Sequence, residues 1–84
     1  MSEVTFSLKA PEAREVYVTG DFNGWKLDDN SRMNLKNGSW NKRLNLTKGK
    51  YHYRFVIDGK WVEDPNNPVQ EINPFGELNS ALII

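Results

Sequence analysis

The segment from Lys50 to Trp61, KYHYRFVIDGKW, leaves this chain little choice of local structure. Tyr51, Tyr53, Phe55 and Ile57 alternate with His52, Arg54 and Val56, the period of two that marks a strand with one face in a core. Asp58-Gly59 follows, a pair suited to the type I′ turn, whose two central residues both need positive φ. A two-residue loop then fixes register by geometry. Ile57 falls opposite Lys60, Val56 opposite Trp61, Phe55 opposite Val62 and Arg54 opposite Glu63. Phe55 and Val62 face the core, while Arg54 and Trp61 emerge as diagonal neighbours on the other face. Folding alone does not ask for an indole beside a guanidinium on an outward face. That pair is the first pointer to function.

The same alternation recurs along the chain. Val4, Phe6 and Leu8 alternate with Thr5, Ser7 and Lys9, and Ala10-Pro11-Glu12-Ala13 reads as a turn because proline fixes φ and removes a donor. Glu15 to Thr19 is a second strand, with Val16 and Val18 on one face and Tyr17 and Thr19 on the other. Gly20 to Trp25, GDFNGW, is rich in turn residues and carries two aromatics. The polar stretch Lys26 to Gly38 predicts a long loop with a short strand about Arg32 to Leu35, tucked in by Met33 and Leu35. Asn37-Gly38 is a second hairpin signal, leading into Ser39 to Leu46, where Trp40, Lys42, Leu44 and Leu46 share one face. Asp64 to Pro68 is a proline-bearing loop that ends any ladder. Val69 to Asn79 reads as irregular around Pro74-Phe75-Gly76, and Ser80 to Ile84 as a closing apolar strand. No segment has a helical period. Six to eight short strands with frequent turns predict an all-β fold, an antiparallel immunoglobulin-like β-sandwich, without the Cys…Trp…Cys spacing of true immunoglobulin domains.

Composition removes several functions. Eighty-four residues make one domain, spanning residues 1–84, which buries only about 60–65% of its unfolded surface. With no cysteine and a single histidine, His52, there is neither a disulfide framework nor a thiolate metal site, and a Ser-His-Asp triad is poorly supported. Eleven basic residues balance eleven acidic ones, where a nucleic-acid or membrane-surface binder would show a basic stripe. No apolar run reaches transmembrane length, and MSEVTFS is no signal peptide, so the cytoplasm is the expected compartment, and the pattern is compatible with a domain excised from a longer protein. No cofactor is expected. Asp21, Asp28, Asp29, Asp58, Glu63, Asp64, Glu71 and Glu77 fall mostly in turns or opposite basic residues, as surface carboxylates do, rather than as an acid/base pair. The expectation is not an enzyme.

What remains is aromatic. Trp25, Trp61 and Phe75 fall in turns or on outward faces, whereas Phe6, Trp40, Tyr53 and Phe55 fall on inward ones. Pattern alone leaves Trp25 either folded over one end of the sandwich or exposed. Exposed flat rings can stack on the apolar C–H face of a pyranose. Arg54, Glu77 and Asn79 can serve its polar edges.

GDFNGW at Gly20 to Trp25, GKYHYRFVIDGKWVEDP at Gly49 to Pro65 and FGELNS at Phe75 to Ser80 resemble, in order and spacing, carbohydrate-binding module family 48. That family includes the glycogen-binding domain of the AMP-activated protein kinase β subunit and the N-terminal domains of isoamylases and branching enzymes. The resemblance implies a non-catalytic sandwich that binds α-1,4-linked glucans such as glycogen, starch and maltooligosaccharides. Trp25 and Trp61 match the family's sugar platform. Arg54 stands where kinase-type members carry a sugar-bonding lysine, Phe75 at a leucine on a loop that threads cyclic glucans, Glu77 at a threonine and Asn79 at a sugar-bonding asparagine. Arg54 keeps the charge but changes the donor geometry; Phe75 is larger than leucine, and Glu77 adds a charge. The implied partners are an α-glucan and a catalytic or kinase-type domain. The alternative role is docking against such a domain without sugar.

Overall fold

The computed structural model describes all 84 residues as an antiparallel β-sandwich. Eight strands form in chain order: β1 (Ser2–Lys9), β2 (Val16–Gly20), β3 (Asn34–Lys36), β4 (Ser39–Leu46), β5 (Lys50–Ile57), β6 (Lys60–Val62), β7 (Gln70–Ile72) and β8 (Leu78–Ile83), with one 3-10 turn at Asp21–Asn23. One sheet has the order β1-β4-β3, and the other β2-β5-β8-β7 with β6 also on β5. β2 takes one edge of β5. β6 and β8 share the other edge, beside residues 55–57 and 50–53 respectively.

The core is what the alternation dictates. Phe6, Leu8 and Trp40 of the first sheet meet Val16, Val18, Tyr53 and Phe55 of the second, with Met33 between them. Tyr53 stands edge-on to Phe6, ring centroids 4.9 Å apart, a favoured quadrupole arrangement. Trp40 keeps its indole N–H satisfied by donating to the Ala10 carbonyl at 2.9 Å. Both hairpins form as two-residue loops. Asn37 and Gly38 have φ of 53° and 81°, Asp58 and Gly59 of 48° and 85°, the doubly left-handed geometry of a type I′ turn. The Asp58 carboxylate also accepts from the backbone N–H groups of Arg14 and Glu15, stitching this hairpin to the start of β2.

The register about Asp58-Gly59 pairs Ile57, Val56 and Phe55 with Lys60, Trp61 and Val62 as expected. The ladder stops there, so Arg54 is not paired with Glu63. On its other side Arg54 faces Thr19.

Other expectations need correcting. Leu35 is half exposed and does not tuck in; Met33 does so alone. The short strand is Asn34–Lys36, and Arg32 contributes only an isolated bridge to Tyr17. Thr19 and Val56 point away from the core yet are buried. Val56 lies in a row between Tyr17 and Trp61, and the Thr19 hydroxyl lies 2.9 Å from both Asn23 Oδ1 and the Lys26 carbonyl. Asp64 is not a solvated carboxylate: it is buried, accepts from the Tyr53 hydroxyl at 2.7 Å, and its backbone N–H donates to Ser80 Oγ.

The largest correction concerns Val69 to Asn79. This segment is a hairpin, with β7 pairing β8 through Glu71↔Asn79 and Ile72↔Leu78. Three residues are too few for a periodic signal, and Pro68 and Pro74 on either side argue for loop. No helix of the chain is long and apolar enough to cross a membrane.

Candidate functional site

The outer face of the five-stranded sheet carries an open depression of about 750 Å³. Its shape follows from register. Across the sheet, Arg54 of β5, Asn79 of β8 and Glu71 of β7 stand on this face, and His52 stands one pleat away opposite the small Ala81. Walls rise where the chain leaves the sheet: the turn after β2 on one side, β6 on a second and the β7–β8 loop on a third. All six residues singled out from sequence, Trp25, Arg54, Trp61, Phe75, Glu77 and Asn79, line it.

Trp25 owes its position to the turn before it. Asn23 Oδ1 accepts from the backbone N–H of Gly20 and of Trp25 and lies within reach of the Thr19 hydroxyl. The Trp25 N–H also points to the Gly20 carbonyl at 3.0 Å. So held, Trp25 takes φ of 61°, a left-handed conformation unusual for a bulky residue and of the kind that collects at functional sites. Its ring neither caps the core nor stands free. It is half-buried, 6.4 Å from the Trp61 ring centroid and tilted 36° to it. Trp61, carried on β6 opposite Val56, is 40% exposed. Two indoles from opposite walls thus form one broken apolar surface.

Arg54 is largely covered. Its Nε donates to the Leu78 carbonyl at 3.0 Å, and its terminal nitrogen lies 3.7 Å from the Glu77 carboxylate. Asn79 is buried in the floor. Phe75 is 88% exposed at the rim. Its loop is built by Asn73, whose side-chain oxygen accepts from the backbone N–H of Phe75 and of Glu77, with Gly76 supplying the positive φ.

Six further lining residues were not singled out: Asp21, His52, Glu71, Ile72, Asn73 and Pro74. Three of them form a relay. Asp21 Oδ1 accepts from the Trp25 indole N–H at 3.2 Å, while its Oδ2 faces the backbone N–H and the Nδ1 of His52 at 2.8 and 3.0 Å. His52 Nε2 lies 2.7 Å from Glu71, which also pairs with Lys50. The Glu71 and Asp21 carboxylates hold the imidazole above its ordinary value of 6.5. Lys50, then His52, holds Glu71 below the usual carboxylate range. For Asp21, partial burial acts upward, but the His52 N–H groups and charge outweigh it, and the carboxyl is lowered. His52 had a readable signal, since its parity with Arg54 puts it on the same face. Asp21 and Glu71 had none, because their partner is distant in sequence. Asn73 was legible only as an asparagine before proline, a turn signature.

Residues 3–84 match the family model described as the glycogen recognition site of AMP-activated protein kinase. The chain belongs to that family. It is thus a carbohydrate-binding module of family 48, a non-catalytic domain and not an enzyme. Among curated relatives, Protein PTST homolog 2, chloroplastic, of Arabidopsis thaliana is 38% identical over 72 residues, covering 86% of this chain and 13% of that protein. The 5'-AMP-activated protein kinase subunit beta-1 of Sus scrofa is 36% identical over 70 residues, covering 82% of this chain and 53% of that one. The module therefore spans about half or less of these relatives. Among solved structures, the maltogenic amylase from S. marinus superposes with a TM-score of 0.76 at 24% identity, over 98% of this chain and 13% of the amylase. That likeness is one of fold.

Proposed function

We propose that the module binds α-1,4-linked glucans such as glycogen, starch and maltooligosaccharides, with Trp25 and Trp61 as the stacking platform. The observation that carries this reading is the convergence of two partly exposed indoles, 6.4 Å apart, on one depression with polar groups set around them. A tilt of 36° between the rings suits a ligand whose successive apolar faces are not coplanar, as in a curved glucan chain. The Arg54 guanidinium, anchored by one of its N–H groups, and the Asn79 amide serve the hydroxyl edges. Phe75 and Glu77 act from the rim, Phe75 as an apolar stop and Glu77 as an acceptor.

Affinity follows from the areas. If each ring removes on the order of 60–80 Å² of apolar surface from water, it contributes roughly 1.5–2 kcal/mol. Two or three hydrogen bonds add about 1 kcal/mol net apiece, against the entropic cost of association. The expected Kd for short oligosaccharides is roughly 10 μM to 1 mM, with avidity on polymers where copies are linked. In a longer protein, such a module would bring a catalytic or kinase-type partner domain to the glucan.

Titration with maltoheptaose, followed by tryptophan fluorescence and amide shifts, tests this. Saturable changes clustered at Trp25, Arg54, Trp61 and Asn79 support it. No change up to about 10 mM, beyond the weak limit, would replace it with docking against a protein partner.

A further inference from the structure

The relay Trp25–Asp21–His52–Glu71 crosses the floor of the depression from the turn after β2 to strand β7. It fastens one half of the indole platform to the opposite wall. Each ring nitrogen of His52 faces a carboxylate oxygen, at 3.0 Å and 2.7 Å. A carboxylate only accepts, and a neutral imidazole carries a single N–H. Both contacts are hydrogen bonds only when the ring is an imidazolium. Neutral, it sets a lone pair against one of the two carboxylates, and that contact opens.

The groups around the ring favour the charged form. Asp21 faces it from the 3-10 turn and Glu71 from β7; Ala81 lies opposite on β8 and is uncharged. On β5 itself, Lys50 is engaged by Glu71, and Arg54 by Glu77 and the Leu78 carbonyl. No lysine or arginine is paired with Asp21, so its ion pair is with His52. We infer that His52 is a positioning residue for the sugar platform: as an imidazolium it holds Asp21, and through it the Trp25 ring, in register with β7. Once neutral, the ring bonds only one of the two carboxylates; the pH-independent His52 backbone N–H still donates to Asp21, so it is the ring's bridge from Asp21 to Glu71 that is broken. The inference rests on reading the depression as the glucan site.

The sign is set by the chemistry. Protonated His52 keeps both bonds, so binding is tightest on the acid side and weakens as pH rises through the raised value of the ring. The experiment is a maltoheptaose titration of the parent chain and of His52→Gln from about pH 5.5 to about pH 9, bracketing the ordinary histidine value of ~6.5. In parallel, the indole N–H resonance of Trp25 is followed in the ligand-free proteins. Losing one partly exposed charged hydrogen bond should raise the parent's Kd about three- to tenfold across that range. His52→Gln, which does not titrate, should vary less than about twofold. The parent's Trp25 indole resonance should move with the His52 ring carbons.

A parent Kd that is flat with pH overturns the inference, as does a His52→Gln chain that keeps the parent's dependence. An indole signal that ignores His52 overturns it as well, and that measurement needs no variant to fold. If maltoheptaose binds at no pH, the glucan reading fails by itself. The indole signal still decides the relay: movement with His52 supports it, and a stationary signal removes it.

Discussion

Truncating Trp61 to alanine probes the platform where its geometry is best defined. Tryptophan presents up to about 250 Å² of surface, and 40% of the residue is accessible, so on the order of 80–100 Å² of it faces solvent. A sugar face of about 60–80 Å² can be covered by that area, worth roughly 1.5–2 kcal/mol at 25 cal/mol per Å². Trp61→Ala should therefore weaken maltoheptaose binding about 10–30-fold. The substitution also uncovers Val56, which is 2% exposed in the parent, at a cost of about 1 kcal/mol, or roughly 4–8 °C in thermal midpoint. Binding must accordingly be measured well below the melting transition, with the amide spectrum showing an intact fold. Fluorescence gives an internal check. Trp40 is 5% exposed in the core and should stay silent, so in Trp61→Ala any ligand response comes from Trp25. A folded Trp61→Ala chain whose Kd lies within about twofold of the parent, less than 0.5 kcal/mol, would refute the stacking argument.

Other perturbations test the scaffold. Gly20→Ala should cost about 2–3 kcal/mol in a urea melt, because a Cβ there would lie 2.2 Å from the His52 carbonyl oxygen and 2.9 Å from the Tyr53 Cα, both backbone. An unchanged midpoint would mean that β2 and β5 can part freely. Tyr53→Phe takes from the buried Asp64 carboxylate its hydroxyl donor and from Asn67 an acceptor. It should lower stability by about 2–3 kcal/mol, or roughly 10–20 °C, and a circular dichroism melt within a few degrees of the parent would contradict that. Stability should also vary with pH on two limbs. The lowered Asp21 and Glu71 contribute above their ordinary values of 3.8 and 4.5 and lose that contribution as pH falls through their folded values. The raised His52 contributes fully below 6.5 and loses it as pH rises through its folded value. Thermal midpoints measured against pH should peak between these limbs, and His52→Gln should lack the alkaline one.

The parts of the fold legible in the sequence are those where a local rule binds every residue. Alternation placed Phe6, Leu8, Val16, Val18, Tyr53 and Phe55 in the core, and all are buried. Asn-Gly and Asp-Gly located two hairpins, because positive φ at consecutive residues excludes most side chains. Parity fails where burial comes from the outer face. Thr19 bonds into the turn of Asn23 and Lys26, and Val56 lies between Tyr17 and Trp61, so an outward position there does not mean exposure. It fails again where a polar side chain replaces an apolar one inside, as with Ser80, fully buried and receiving the Asp64 N–H. β7 escaped notice because its register is imposed by β8 rather than by its own pattern.

That same strand explains why the site was legible only on one side. Of the six residues found from sequence, four are large or chemically conspicuous, namely two tryptophans, a phenylalanine and an arginine, while Glu77 and Asn79 came with the FGELNS motif. The aromatics announce themselves by lying in turns or on outward faces, and Arg54 by lying beside an indole there. Asp21 and Glu71 are ordinary surface carboxylates until β5 brings His52 between them, 31 residues from one and 19 from the other. Their role exists only as a relation, since neither carboxylate alone raises a question and the imidazole alone has no preferred direction. If the pH experiment bears out the relay, carboxylates set aside as solvated are what keep the conspicuous tryptophan in its place. The strength of an indole platform would then be governed by the protonation of a ring whose Nδ1 lies 3.0 Å from the carboxylate that holds the indole.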